Sequence, residues 1–157
     1  MDNHKQTFET IRTVFNKMTW LNKIKMEESL KGYTPSEVHC IEYIEKHKDP
    51  NVTQLGEAFF MTRSAISKMT KRLINKGIIE SYQKTDNKKE VYFRLTEKGR
   101  ALNEIHERLH QEFYERDKVI FDQVSAEQYE KVMHFLQEYN KHLDEEMIKW
   151  SNNPTVE

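Results

Sequence analysis

The sequence predicts a mainly α-helical fold that contains one small β-hairpin. Between residues 52 and 100, a short helix, a second helix rich in cations and two β-prone segments follow one another without interruption. Before and after this stretch, apolar residues recur at helical spacing. This order of elements predicts a winged helix-turn-helix core flanked by further helices at both ends of the chain.

The first two helices are predicted from an apolar stripe and a cap. The second helix begins at the capping box Thr34-Pro35-Ser36-Glu37, with proline at the first helical position, and it should run to roughly Lys46. Asp49-Pro50 ends this segment. The first helix should reach about Leu30 and end near Gly32, and its stripe consists of Phe8, Ile11, Phe15 and Met18.

A helix-turn-helix follows. Thr53 is expected to cap a short third helix that ends at Phe59. Thr62 or Arg63 then begins a fourth helix, which runs to Lys76 and stops at Gly77, and helices joined by so short a turn cross steeply. The fourth helix should bury Ile66, Met69 and Leu73, flanked by Ala65 and Ile74, and its opposite side carries Ser64, Ser67, Lys68, Lys71 and Asn75.

The segment after the fourth helix predicts a hairpin, here called the wing. Residues 78–83 and 90–95 are β-prone, and a turn of six residues from Lys84 to Lys89 separates them. Asp86 and Asn87 in this turn are typical turn residues. Thr96 is expected to cap the next helix.

Two long helices are predicted at the carboxyl end, and the second begins at the capping box Ser125-Ala126-Glu127-Gln128. Their apolar stripes are Leu102, Ile105, Leu109 and Phe113 in the fifth helix, and Tyr129, Val132, Met133, Leu136, Leu143 and Met147 in the sixth. Together with the first helix, these faces are more apolar than one small core can cover. We therefore expect a second copy of the chain to cover them.

Charge distribution predicts a nucleic-acid partner. Residues 61–100 hold eleven cations against four anions, a net charge of +7, so that the remainder carries −8 in a chain of net charge −1. Short polar side chains suit base edges in the major groove of duplex DNA, and lysines suit phosphates. The predicted contacts are Thr62, Arg63, Ser64, Ser67, Lys68, Lys71 and Arg72 of the fourth helix, and Lys84, Asn87, Lys88 and Lys89 of the wing.

Other classes of function have less support. No nucleophile motif and no glycine-rich phosphate loop is present, so we do not expect an enzyme. The amino end is polar and no apolar run could span a bilayer, which predicts a cytoplasmic protein with no membrane partner. A winged helix used only for protein interaction remains the alternative, and the salt dependence of duplex binding would discriminate the two.

The order and spacing of these segments resemble the MarR family of bacterial transcriptional regulators. The resemblance covers nearly the whole chain. It implies one domain over residues 1–157, with a DNA-binding core at 34–96 and dimerisation helices at 1–32 and 97–150. It rests on Thr34-Pro35-Ser36-Glu37, Val52-Thr53-Gln54-Leu55-Gly56-Glu57-Ala58, Thr62-Arg63-Ser64-Ala65-Ile66-Ser67-Lys68 and Leu95-Thr96-Glu97-Lys98-Gly99.

The same resemblance implies a homodimer that binds palindromic operator DNA, acts as a repressor and responds to a small effector. The first, fifth and sixth helices would form the interface, the fourth helices would enter successive major grooves, and the wings would touch flanking minor grooves. The wing tip departs from the family, which commonly has Asp-x-Arg where this chain has Asp86-Asn87-Lys88. Lysine lacks the flat fork of arginine, so we expect weaker insertion into the minor groove.

Three histidines raise the question of a metal effector. His106 and His110 are four residues apart on the fifth helix, a spacing at which two imidazoles can bind one metal. In the resemblance, these two and His39 match ligands of zinc-uptake repressors. However, fatty-acid-synthesis repressors of the family carry similar histidines, and Val38 stands where the zinc repressors have an acid. Zinc binding and a hydrogen-bonded histidine cluster at the dimer interface both remain open.

A small apolar or aromatic effector is the default expectation. It would lie in a cleft between the dimerisation helices and the winged core, and the candidate lining residues are Phe15, Met18, Trp20 and Tyr33. Cys40, the single cysteine, is expected to be buried and inert, since peroxide-sensing members place their cysteine near the start of the first helix.

Overall fold

The computed structural model of the protein describes residues 2–152, which form six helices and one antiparallel hairpin. This confirms the predicted mainly helical fold with a hairpin wing. No helix in this part of the chain is long and apolar enough to cross a membrane. The elements are α1 (Asn3–Ser29), α2 (Pro35–Lys46), α3 (Val52–Phe59), α4 (Arg63–Asn75), β1 (Ile79–Lys84), β2 (Asn87–Leu95), α5 (Glu97–Phe121) and α6 (Ala126–Ser151).

The helix caps are mostly as predicted, with one correction. The capping boxes at Thr34 and Ser125 are present, but the predicted cap of α3, Thr53, is wrong. Asn51 caps α3, because its side chain accepts a hydrogen bond from the backbone N of Gln54 at 2.9 Å and the Gln54 side chain accepts one from the backbone N of Asn51 at 3.1 Å. The residue three positions after Thr53 is a glycine, which cannot return such a bond.

The wing is longer, and its turn shorter, than predicted. β1 continues to Lys84 and β2 begins at Asn87, which leaves a turn of two residues instead of six. The side-chain oxygen of Asn87 accepts hydrogen bonds from the backbone N of Lys89 at 3.2 Å and of Glu90 at 3.3 Å. These bonds shape the chain directly after the turn, so that Lys88 and Lys89 lie in β2 and not in a loop.

The core lies between α2, α3, α4 and the base of the hairpin. The stripe Ile66, Met69 and Leu73 of α4 is buried in it, as predicted. The segment before α3 lies against β2, where Pro50 O accepts a hydrogen bond from the backbone N of Phe93 at 3.0 Å. The buried cluster consists of Cys40, Ile41, Ile44, Leu55, Ile66, Met69, Leu73, Ile78, Ile79, Phe93 and Leu95.

A buried carboxylate ties α2 to the carboxyl end of α4. Glu37, in the first turn of α2, has a side chain that is only 2% exposed. One of its oxygens accepts a hydrogen bond from Arg72 Nε at 3.1 Å, and the other accepts bonds from Lys76 Nζ at 3.1 Å and the backbone N of Thr34 at 3.2 Å. Burial raises the pKa of Glu37, but the bonds from Lys76 and Arg72 outweigh burial and lower it overall.

The terminal helices leave most of their apolar surface uncovered. A small second cluster of Leu30, Val38, Leu109 and Phe113 packs the end of α1 and the middle of α5 against α2. Within the described residues, neither α1 nor α6 contains a buried side chain. The predicted stripes of both helices are largely exposed, namely Phe8, Phe15 and Met18 of α1 and Val132, Met133, Leu136, Leu143 and Met147 of α6.

Replacement of Glu37 by glutamine should destabilise the fold. Glu37→Gln keeps the size of the side chain but leaves Arg72 and Lys76 without their shared anion. We expect the free energy of unfolding to fall by about 1.5–3 kcal/mol, the usual effect of losing hydrogen bonds to a buried charged group. Urea denaturation followed by circular dichroism measures this change.

Glu127→Gln is the matched control. Glu127 also lies in the first turn of a helix, and its ion pair with Lys131 is exposed on both sides. This variant should lose about 0.5 kcal/mol or less. Equal losses in the two variants would contradict the stabilising role of Glu37.

Candidate nucleic-acid interface

The exposed face of α4 is polar and cationic along its length. Thr62 caps the helix, since its side-chain oxygen accepts a hydrogen bond from the backbone N of Ala65 at 3.1 Å. Because the apolar stripe of α4 is buried in the core, the opposite face is turned outward. Four predicted contact residues, Ser64, Ser67, Lys68 and Lys71, are exposed on this face.

Two arginines of α4 are positioned by neighbouring helices. Arg63 is exposed, and its Nη1 donates a hydrogen bond to Thr53 Oγ1 at 2.6 Å, which gives Thr53 a role in place of the predicted cap. Arg72 is held by Glu37 through Nε, while 55% of its side chain remains exposed. An arginine held through Nε keeps its two terminal nitrogens for an outside acceptor.

The tip of the wing presents two exposed lysines, Lys88 and Lys89. Asn87 lies beside them but is only partly exposed, since its side-chain oxygen shapes the turn and its Nδ2 donates to the hydroxyl of Tyr92 at 3.4 Å. In the free protein, Asn87 therefore has a structural role. The two lysines add exposed positive charge on the hairpin to that on α4.

Lys84 is engaged within the protein. Its Nζ lies 2.6 Å from Asp49 Oδ2 and 4.6 Å from the centre of the Tyr92 ring. The hydrogen bond to Asp49 raises the pKa of Lys84, and the same bond lowers the pKa of Asp49. Sequence patterns do not indicate this pair, because its members are 35 positions apart in the chain and Asp49-Pro50 predicts only the end of a helical segment.

The three histidines lie between α2 and α5. His106 is buried, and its Nε2 is 3.0 Å from Nε2 of His110. The His39 ring is 6.4 Å from the His106 ring, centre to centre. Burial, followed by the charge of His110, lowers the pKa of His106. Nδ1 of His106 has no hydrogen-bond partner among residues 2–152.

These histidines do not assemble a complete metal site. Two nitrogens on one tetrahedral zinc lie roughly 3.3 Å apart, which is close to the separation in the His106–His110 pair. However, no group of three or more histidine, cysteine, aspartate or glutamate side chains in residues 2–152 is placed to hold a metal ion. Zinc sites in proteins use three or four protein ligands, so a third ligand would have to come from a rearrangement or from a second chain.

Two further sites are predicted from the sequence, namely Cys40 and the effector cleft. Cys40 is buried, and burial, with a smaller effect from the carboxylate of Glu37, raises its pKa to about 12, so the thiol is not ionised at neutral pH. Among the predicted cleft residues, Tyr33 packs against the core and Phe15, Met18 and Trp20 are exposed. A groove of about 1040 Å³ lies elsewhere, between the end of α6 and the α3–α4 turn, and its lining includes Phe60, Met61, Leu143, Met147 and Trp150.

Comparison with known proteins identifies the family. The profile of the MarR family matches residues 33–91. The HTH-type transcriptional regulator PchR of Bacillus subtilis is 30% identical to this chain over 158 residues, which cover 89% of this chain and 91% of PchR. The chain belongs to the MarR family. It is therefore a DNA-binding transcriptional regulator and not an enzyme, and family membership favours DNA binding over an interaction module.

Solved structures of the MarR fold superimpose on almost the whole chain. The crystal structure of Streptococcus pneumoniae FabT in complex with DNA gives a TM-score of 0.80 at 24% identity and covers 91% of this chain and 99% of FabT. The adhesin competence repressor AdcR of Streptococcus pyogenes gives a TM-score of 0.66 at 20% identity, with coverage of 92% and 99%. At these identities the likeness concerns the fold, including its terminal helices.

Proposed function

We propose that this MarR protein binds palindromic operator DNA as a homodimer and represses transcription until a small effector alters its affinity. The observation that carries the proposal is that the outward face of α4 and the tip of the wing both present exposed cations. Residues 34–96 would contact DNA, and residues 1–32 and 97–150 would form the dimer.

The contact residues divide into two classes. Ser64 and Ser67 lie near the amino end of α4, where side chains come closest to base edges in helix-turn-helix complexes. The remaining candidates are suited to phosphates because they are cations, lie at the amino end of a helix or, in Asn87, carry an amide that can donate to a phosphate oxygen. Phosphate contacts position a protein without reading sequence. This class comprises Thr62, Arg63, Lys68, Lys71 and Arg72 of α4, and Lys84, Asn87, Lys88 and Lys89 of the wing.

The dimer is supported by the uncovered faces of the terminal helices. Fifteen large apolar side chains of α1 and α6 are exposed, for example Phe15 at 67% and Val132 at 48%. Stable monomers rarely expose so many apolar groups in continuous stripes. A second copy related by a two-fold axis covers such stripes and also brings a second α4 to the DNA.

Repression and effector control are supported by separate observations. AdcR is named a repressor, and its fold is shared. A small apolar effector is supported by the groove between α6 and the α3–α4 turn, because an occupant would contact a dimerisation helix and the start of α4 together. Zinc is the second candidate, and the convergence of His106 and His110 supports it.

Substitutions on α4 and on the wing should have different effects on DNA binding. Ser67→Ala should reduce discrimination between a duplex selected by the protein from a random library and its base-substituted versions. Lys88→Ala and Lys89→Ala should weaken binding to all duplexes and flatten the dependence of log affinity on log salt by about one unit per lost phosphate contact. Fluorescence anisotropy at several salt concentrations measures both effects.

Lys131→Ala is the control for the wing lysines, since it removes the same charge from an exposed position on α6. It should leave the salt slope nearly unchanged. If the wing variants changed sequence preference and left the slope intact, the assigned roles would be wrong.

The dimer should depend on the α6 stripe. Leu136→Glu puts a charge into the apolar stripe and should shift the protein to monomers, whereas His134→Glu on the opposite side of α6 should not. Light scattering measures the mass of the protein in solution. The wild-type dimer should bind half-sites whose centres are about 10–10.5 base pairs apart. A wild-type monomer at micromolar concentration that still binds DNA specifically would contradict the proposal.

The two effector candidates are separated by a zinc titration. If zinc is the effector, it should raise the affinity for the selected duplex, and His106→Ala or His110→Ala should abolish the increase while the dimer stays folded. Equal affinity with zinc and with a chelator would exclude zinc and leave the small organic effector.

A further inference from the structure

The outer half of the wing extends beyond the core. Ile79 and Leu95 at the base of the hairpin are buried, whereas the strands towards the tip are mostly exposed. A two-stranded ribbon is marginally stable by itself. A contact from another element is therefore needed to hold the tip at one angle to α4.

Asp49, in the segment between α2 and α3, makes such a contact. One of its carboxylate oxygens accepts a hydrogen bond from the hydroxyl of Tyr82, and the other lies 2.6 Å from Nζ of Lys84. The Tyr82 ring in turn lies 5.6 Å from the Tyr92 ring of the neighbouring strand. The carboxylate thus reaches the outer half of β1 directly and β2 through Tyr92.

The backbone around Asp49 is shaped for this contact. Asp49 has φ of +48°, in the left-handed region that few residues other than glycine adopt, although aspartate and asparagine tolerate it. The residues that follow are attached to β2, through Pro50 O to the backbone N of Phe93 and through Asn51 Nδ2 to Glu90 Oε2 at 3.4 Å. Residues with a strained backbone often lie at functional sites. Here, the residue with the strained backbone, Asp49, carries the carboxylate that contacts the hairpin.

We propose that Asp49 is a positioning residue for DNA binding, which holds the wing through Tyr82 and Lys84 at the angle from which Lys88 and Lys89 meet DNA. This inference rests on the proposed function, in which these two lysines contact DNA. Lys84 then acts mainly as an anchor of the wing and contributes less as a phosphate ligand. A wing held before DNA arrives loses less conformational freedom on binding.

The test is Asp49→Asn in the full-length protein. Asparagine has the same shape and tolerates the left-handed backbone, but it removes the charge that holds Lys84. We expect affinity for the selected duplex to fall about five- to thirtyfold, because part of the binding free energy must then order the tip of the wing. Affinity should fall although the loss of the carboxylate makes the net charge of the variant one unit more positive, which by itself favours binding to DNA.

Glu80→Gln is the matched control. Glu80 lies on the same strand and pairs with Arg94 at 2.6 Å, so its replacement removes the same charge but breaks an ion pair internal to the hairpin. It should leave affinity unchanged or slightly higher. A parallel rise in affinity in both variants would show that Asp49 acts through its charge alone, and it would overturn the proposal.

Lys89→Ala in two backgrounds tests positioning itself. In the wild type the substitution should weaken binding and flatten the salt slope, and in Asp49→Asn both effects should be several times smaller. Full effects in both backgrounds would overturn this inference and leave the proposed function standing. No effect of Lys89→Ala in the wild type would contradict the wing contact itself, and with it the inference.

Tyr82→Phe is the second variant for the case in which Asp49→Asn does not fold. It removes only the hydroxyl that donates to Asp49 and keeps the ring against Tyr92. The same comparison with Lys89→Ala then applies, and we expect a smaller change in the same direction. Unchanged affinity and an unchanged Lys89→Ala effect in Tyr82→Phe would overturn the proposal.

Discussion

The burial of one stripe of α4 is the constraint on which the rest of the structure depends. Ile66, Met69 and Leu73 are almost completely buried, and each contributes about 1.5–3 kcal/mol of hydrophobic stabilisation. Because these positions recur every three or four residues, they leave only one face of the helix for solvent. That face carries hydroxyls and cations, so the packing that stabilises the core also decides which side chains can meet DNA.

Two acidic residues extend this constraint to the edges of the proposed DNA-binding surface. Glu37 ties the carboxyl end of α4 to α2 through Arg72 and Lys76, and Asp49 contacts the wing through Tyr82 and Lys84. In both cases, cations that sequence composition assigns to a basic patch have partners inside the protein. The net charge of a segment therefore overstates the number of cations free to contact phosphate.

Local signals in the sequence predict the helices and the buried stripe of α4 well. The caps at Thr34, Thr96 and Ser125 and the period of α4 depend on residues within one or two turns of each other, and all are present in the structure. The predicted cap of α3 is wrong because Asn51 and Thr53 both suit a cap by residue type, and only the hydrogen bond that the Gln54 side chain accepts from the backbone N of Asn51 distinguishes them. The predicted turn of the wing is too long because lysine disfavours strands, whereas β2 begins at Asn87, which pairs with Lys84, and continues through Lys88 and Lys89.

The contacts that the sequence does not predict join residues that lie far apart in the chain. Glu37 meets Arg72 and Lys76 across 35 and 39 residues, and no periodic pattern links residues so far apart. The histidines illustrate the same limit, since the four-residue spacing of His106 and His110 predicted their proximity but gave no third metal ligand. The uncovered faces of α1 and α6, in contrast, follow from their apolar periodicity alone.

Chemical protection of a selected duplex tests whether two α4 helices occupy successive major grooves. Dimethyl sulfate methylates guanine N7 in the major groove and adenine N3 in the minor groove, so one reagent reports on both grooves. The account predicts two clusters of protected guanine N7 positions about one helical turn apart, with weaker protection of adenine N3 at the outer flanks. Protection confined to the minor groove, or a single unrepeated cluster in the major groove, would contradict the account of two α4 helices in successive major grooves.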